Sequence, residues 1–362
     1  MSRKLLPVSI TAALMGGTAM AGAPSVAVDI APIHSLVARV MDGVGTPNLV
    51  VQPGASPHEY NLRPSEAAAL QGADLVFWVG EDLTPWMEGA VATLASGATI
   101  TTLLESDGTV LLEFREDALF EAHDHGDEDH AEDKDHDHED HDDDKDHDDH
   151  GHGDEDHAEG DDHDHKHEEH ADGEEHDHDE HADHDDHHDH AHGEHDPHAW
   201  LSPKNAETWL NVIAAQLSAA DPENAGQYFA NAAAAGEEMA VLSAEVSETL
   251  DPVRGSNFIV FHDAYQYFEN AFDFPASGAI SLSDASDPSP ARISEIQARI
   301  REEGINCVLS EPQFNPGLVA TVMDGTEAKT ALIDPLGSDL EPGAALYPQM
   351  IRNIAKSLAD CL

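Results

Sequence analysis

The sequence predicts an α/β protein of two lobes, each built on a parallel sheet flanked by helices, and three observations carry that prediction. Short apolar runs alternate with helical patterns along the chain, as parallel sheets require. Setting aside an N-terminal segment of 23 residues and an acidic run of 76 leaves 263 residues, enough for two lobes of ordinary domain size. Between the two alternating halves lies a long alanine-rich stretch, 222–250, with few turn signals and room for one long helix.

In chain order, residues 26–30 read as a strand and Ser35 begins a helix. A second strand is expected at 48–51 and a third at 75–79 (LVFWV). Between them Pro64 opens a helix over 65–71, with proline in its first turn as its missing N–H allows. A helix from about Pro85 and a strand at 100–104 complete the first lobe, 24–120. Ser202-Pro203 caps a helix running to Ala220, so 197–221 returns to that lobe, and 222–250 is the linking helix. The second lobe, 251–362, repeats the alternation. Its strands are expected at 258–261, 276–280, 305–309 and 331–333, its helices near 263–271, 293–303, 316–323 and 345–361. No repeat of 20–50 residues suggests a solenoid.

The formal net charge is −58, and it is unevenly spread. From Glu121 to Asp196 there are 38 acidic residues, 23 histidines and three lysines, so this run carries −35. Alanine is its only apolar side chain, too little to offset the entropy of ordering, and a disordered insert is expected there. The charge excludes nucleic acid and anionic membrane surfaces as partners, since both demand a basic footprint. Cations are the natural partners. Pairs spaced His-x-His recur, at His123 and His125, His136 and His138, His150 and His152, and His176 and His178. Two triples extend the spacing, His163 with His165 and His167, then His188 with His190 and His192. In a flexible chain these form secondary, weak two-ligand chelates for divalent ions.

Residues 1–23 read as a signal peptide. Arg3 and Lys4 start it, an apolar stretch runs from Leu5 to Met20, and Ala19-Met20-Ala21 or Ala21-Gly22-Ala23 offers the cleavage site. A periplasmic location follows. Cys307 and Cys361 are the only cysteines, and an oxidising compartment favours pairing them in a disulfide. The alternative, two thiolate zinc ligands, lacks CxxC spacing.

Outside the insert only His34, His58, His198 and His262 remain. His58 follows the strand at 48–51 through the turn 53–57, and His262 directly follows the strand at 258–261. His198 lies in Asp196-Pro197-His198-Ala199-Trp200. Ligands of open α/β sheets bind outside the carboxyl ends of strands, so the cleft between the lobes is where these histidines are expected to meet. Asp334, at the end of the strand 331–333, occupies the same kind of position and is the candidate fourth ligand, with water the alternative. His34 is expected near the site or at the surface.

Four motifs carry a resemblance. Gly54-Ala55-Ser56-Pro57-His58-Glu59-Tyr60 with Leu62-Arg63-Pro64-Ser65, the segment Asp196 to Pro203, Phe261-His262-Asp263-Ala264-Tyr265, and Ser310-Glu311-Pro312-Gln313-Phe314 resemble the metal-binding cluster of ABC-transporter solute-binding proteins, and within it the zinc-binding ZnuA type. The resemblance covers the chain from about Ala27 to Leu362 apart from the insert. It implies two α/β lobes joined by one long rigid helix, zinc in the interlobe cleft, and pairing of the two cysteines of the C-terminal lobe. It makes His58, His198 and His262 the histidine ligands, with Asp334 matching an aspartate that manganese members use and zinc members use variably. Pro57 stands where some zinc members carry a carboxylate.

Imidazole at 262 favours zinc over manganese, with cobalt, nickel and copper as competitors. Three His and an open position would also suit a zinc hydrolase, but the chain has no HExxH, Ser-His-Asp or Gly-x-Ser-x-Gly signature, and no enzyme is expected. The expected function is capture of zinc in the periplasm and delivery to a membrane ABC permease, the chain acting as a monomer while the insert collects or buffers further zinc. The rival is a periplasmic zinc buffer or metallochaperone with no transporter; a metallochaperone could also be a partner of the transport protein.

Overall fold

The computed structural model describes residues 22–115, 195–281 and 288–362. The expected signal peptide and nearly all of the acidic insert lie outside the described residues. So do all the candidate weak-site histidines: His123, His125, His136, His138, His150, His152, His163, His165, His167, His176, His178, His188, His190 and His192.

Two four-stranded parallel sheets organise the rest. The first is built from β1 (Val26–Val28), β2 (Asn48–Leu49), β3 (Leu75–Trp78) and β4 (Thr99–Thr102), in the order β2-β1-β3-β4. Helices α1 (Ala31–Val40), α2 (Pro64–Gln71) and α3 (Pro85–Leu94) connect successive strands. β1 and β3 are buried throughout, as strands covered on both faces must be. Two longer helices follow, α4 (Pro203–Ala220) and α5 (Ala225–Leu250). The second sheet comprises β5 (Phe258–His262), β6 (Gly278–Ser281), β7 (Cys307–Ser310) and β8 (Lys329–Leu332), in the order β6-β5-β7-β8. It is served by α6 (Gln266–Phe272), α7 (Pro290–Glu302), α8 (Pro316–Met323) and α9 (Leu346–Cys361).

Both sheets share one topology. The first strand lies second from the edge, and the chain moves to one side of it and then to the other. The order reverses between β1 and β3 in one sheet and between β5 and β7 in the other. Such a switch point opens a crevice beyond the carboxyl ends of the strands.

Local chemistry sets the helix ends. Ser202 accepts from Asn205 N and Pro203 fills the first helical position of α4, so the cap satisfies one orphan N–H and the proline needs none. Asn315 caps α8 in the same way, ahead of Pro316. In α5 the buried residues Tyr228, Ala232, Ala235, Met239, Leu242, Val246 and Leu250 recur at steps of three and four, one apolar stripe along 26 residues. At 1.5 Å per residue this helix is about 39 Å long. Its start differs from the expected Pro222, because 222–224 forms a 3-10 turn first.

That stripe belongs to a continuous core. Val26, Phe77 and Leu36 of the first lobe, Trp209 and Ile213 of α4, Met239 of α5, Ile351 and Leu358 of α9, and Val260 and Cys307 of the second sheet form a single buried cluster. The C-terminal helix also binds first-lobe residues directly: Tyr347 N donates to Ser35 Oγ at 2.9 Å and Tyr347 Oη to Trp200 O at 2.8 Å. Cys307 and Cys361 form a disulfide, with Cα atoms 5.8 Å apart, which fixes the end of α9 to β7.

Asp29, fully buried, fastens the first switch point. One oxygen accepts from Ile30 N and the other from Val79 N, while its own carbonyl accepts from Val51 N. Burial pushes its pKa up to about 7 against the opposing pull of the backbone donors. The folded state therefore holds a proton between pH ~4 and ~7 that the unfolded chain releases, so this group makes stability fall as pH rises through that window. The slope it adds is at most ~1.4 kcal/mol per pH unit. Asp29→Asn should flatten stability against pH in urea unfolding between pH 4.5 and 7; an unchanged slope would show that Asp29 titrates normally in the folded chain.

Candidate metal centre

His58, His198 and His262 converge. One ring nitrogen from each lies within 4.8 Å of the others, and they are the only such group of His, Cys, Asp or Glu among the described residues. The His198 ring sits 5.4 Å from that of His58 and 5.3 Å from that of His262, centroid to centroid. Two rings are buried and His58 is half-buried. They line a cavity of about 20 Å³ together with Ser56, Pro57, Trp200, Glu311, Gln313, Phe314, Pro335 and Leu336. That is room for one ion- or water-sized occupant.

Each histidine is aimed by its own segment. His58 rides on the loop after β2, where Gly54 takes a φ of 83°, a left-handed turn open to glycine without steric penalty. The loop is pinned on both sides of the ligand. Trp86 Nε1 donates to Pro57 O at 2.7 Å, and Tyr60 Oη donates to Glu66 at 2.8 Å. Glu66 also accepts from Arg63 N, closing the first turn of α2. His262 is the last residue of β5, one position earlier than a residue following the strand, because its pairing with Ser281 extends the ladder. Phe314 packs edge-on against it at 5.1 Å and stacks on Phe261 at 4.4 Å.

His198 is set by Asp196-Pro197-His198. Asp196 Oδ1 accepts from His198 N at 2.9 Å and bonds His198 Nδ1 at 2.7 Å. Glu311 Oε1 bonds His262 Nδ1, also at 2.7 Å. Glu311 follows β7 directly, so His262 and Glu311 stand on the two strands flanking the second switch point. Burial pushes Asp196 up to about 7, opposed by the His198 N–H, Arg115 and His262. Tyr265, packed against His262, is raised well above the ordinary phenol range by burial and by the nearby Glu311 charge.

Composition assigned Asp196 to the insert, yet it is buried and part of this centre. The neck of the insert is ordered beside it. Glu113 and His195 form an antiparallel bridge, Asp196 N donates to Leu112 O, and Tyr267 Oη bonds Leu112 N and Asp196 O. Arg115 closes the neck on the second lobe, with Nε 2.9 Å from Asp263 Oδ2 and Nη1 2.8 Å from Glu269 Oε2. Burial raises the pKa of both carboxylates and Arg115 opposes it.

Two sequence expectations end elsewhere. Asp334 is not among the three converging residues and does not line their cavity. Its oxygens accept from Leu336 N, Ser338 N, Ser338 Oγ and Gln313 Nε2, which tie down the turn that follows β8. These bonds hold both carboxylate oxygens within the turn, while Pro335 and Leu336 of the same turn line the cavity. His34, expected near the site or at the surface, is buried in α1 with Nε2 3.2 Å from Pro47 O, and burial lowers its pKa. Glu59 is exposed and outside the group.

Residues 26–361 match the family model described as ZnuA, zinc-uptake complex component A, periplasmic. Among relatives, the chain is 44% identical to the "High-affinity zinc uptake system protein ZnuA" of Brucella abortus (strain 2308), over 96% of this chain and 94% of that one. It is 42% identical to the protein of the same name from Paracoccus denitrificans, over 98% and 97%. Among solved structures, a crystal structure of a ZnuA superposes with a TM-score of 0.65 at 19% identity, covering 94% of this chain and 99% of that one, and so shares the fold.

Proposed function

This chain belongs to the ZnuA family, and on that premise we propose that it captures zinc in the periplasm at His58, His198 and His262 and delivers it to a membrane ABC permease. The observation that carries this reading is the convergence of three imidazoles within 4.8 Å around a cavity sized for one ion. Neutral imidazole is a ligand of borderline metals, and three of them with no carboxylate in the group suit zinc better than manganese or magnesium. Water completes the coordination, since Asp334 is engaged by its own turn. The names of the relatives point the same way, to zinc uptake. Residues 1–23 act as the export signal, and no described helix is long and apolar enough to cross a membrane. The zinc leaves as it arrived, as cargo, and the chain performs no chemistry on it.

The acidic, His-rich insert gathers additional zinc at weaker sites. Its neck enters the fold at Glu113 and His195, three residues before His198, and a tether that short raises the effective concentration of released ions to roughly millimolar. In calorimetric titration the full chain should therefore show one tight site followed by weaker ones. A chain lacking 121–194 should keep the tight site alone. Loss of the tight site on deletion would overturn this division of labour. Growth of a deletion strain separates transport from buffering: failure under zinc scarcity supports uptake, whereas sensitivity only to excess zinc supports a buffer.

A further inference from the structure

We propose that Asp196 and Glu311 are positioning residues, each holding the Nδ1 proton of one imidazole (His198 and His262 respectively) and so committing Nε2 of that ring to the ion. The inference rests on reading this cleft as the zinc site, and goes beyond it by assigning tautomers and the groups that set them. The argument starts from acceptor counts. Asp196 Oδ1 already accepts from His198 N at 2.9 Å. With its amide oriented so that nitrogen faces the carboxylate, Gln266 donates to Asp196 Oδ2 at 3.1 Å and to Glu113 O at 3.1 Å. Both oxygens thus face N–H donors, an environment that favours Asp196 as acceptor and places the proton of the 2.7 Å contact on His198 Nδ1.

Glu311 repeats the arrangement from the other lobe. Its Oε1 lies 2.7 Å from His262 Nδ1, and the Tyr265 ring packs edge-on against the same imidazole. The two pairs are built independently. One is a carboxylate two residues before its histidine across a proline; the other spans β5 and β7. Arrival at the same Nδ1 contact, with the same length, by two unrelated routes argues for a requirement of the site rather than an accident of packing. A carboxylate behind an imidazole fixes ring orientation and raises ligand basicity. The Asp196 pair adds a link between lobes, because Gln266 belongs to α6 of the second lobe while Asp196 anchors His198 to the first.

The test uses the full chain with ¹⁵N-labelled histidine, free of metal. Long-range ¹H–¹⁵N spectra at pH 7.5 should show His198 and His262 as Nδ1–H tautomers, assigned through His198→Gln and His262→Gln. Finding Nε2–H on both rings overturns the proposal, whatever the variants do. Asp196→Ala and Glu311→Ala should each release one ring to a tautomer mixture and weaken zinc binding ~10–100-fold. Asp196→Asn and Glu311→Gln, which keep an acceptor oxygen, should retain the tautomer and recover most of that affinity. Alanine variants that keep the tautomer and bind zinc within about twofold of the parent would also overturn it; if they do not fold, the parent spectrum and the amide variants decide. Absence of tight zinc binding in a parent with Nδ1–H rings would instead sink the functional reading and leave the tautomer assignment standing.

Discussion

His198→Ala should lower zinc affinity by about 10²-fold or more and lower stability as well. A four-ligand zinc site releases roughly 10–16 kcal/mol, so one ligand is worth about 3 kcal/mol if the share is even. The stability loss has a separate origin. The imidazole is Asp196's partner in a site from which solvent is nearly excluded, and removing it leaves a buried carboxylate one donor short. His58→Ala makes the contrast, because its ring is half-buried and its loop is held by Trp86 and Tyr60 through neighbouring residues. It should cost comparable affinity with little change in melting temperature. Competition against a chromophoric zinc chelator, paired with thermal melts of the metal-free proteins, measures both quantities. Unchanged affinity in either variant at the single tight site would remove that histidine from the ligand set.

Losing the disulfide should be the largest change in stability that leaves the metal centre intact. The bridge spans 54 residues between β7 and the end of α9, and closing such a loop restricts the unfolded chain by roughly 4 kcal/mol. Both cysteines are buried, and Lys329 Nζ holds the Cys361 carbonyl at 2.9 Å, so the helix end is already seated where the bridge needs it. The double variant Cys307→Ala with Cys361→Ala should therefore fold but unfold at a lower urea concentration, with a melting temperature roughly 10 °C lower for a chain of this size. Zinc affinity should change little, because neither cysteine lines the cavity. A urea midpoint within error of the parent would show that packing of α9 alone does the work.

Much of this was legible in the sequence, and the misses share a cause. α8 was readable to the residue because Asn315 and Pro316 mark its start. Strand ends were misplaced by one or two residues. Val50 and Val51 are buried like the core strands but lie beyond the β2 ladder, and apolar character reports burial rather than pairing. The three histidines could be found because each follows or ends a strand or opens a helix, where local pattern suffices. Asp334 could not be judged that way, since its oxygens are held by Ser338 and by Gln313 from the loop after β7, partners that only the folded chain brings to it. Asp196 was hidden by its neighbours. Seventy-five residues of acidic insert precede it, and only Pro197-His198 hints that the composition window has run one residue too far. Glu311 stood in a recognisable motif, but its role needs β5 and β7 side by side.

The single core shared by the two lobes bears on how the cargo is held. In a clam-like binder, ligand capture is coupled to closure of one body on another, and affinity is taxed by the fraction of time spent open. Here Tyr347, Trp200 and Ser35 lock the C-terminal helix to the first lobe, and the apolar stripe of α5 runs into the core of both sheets. Prising the lobes apart would expose that surface to water. The three rings are thus presented in a frame that is assembled before the ion arrives, and little configurational entropy remains to be lost on loading.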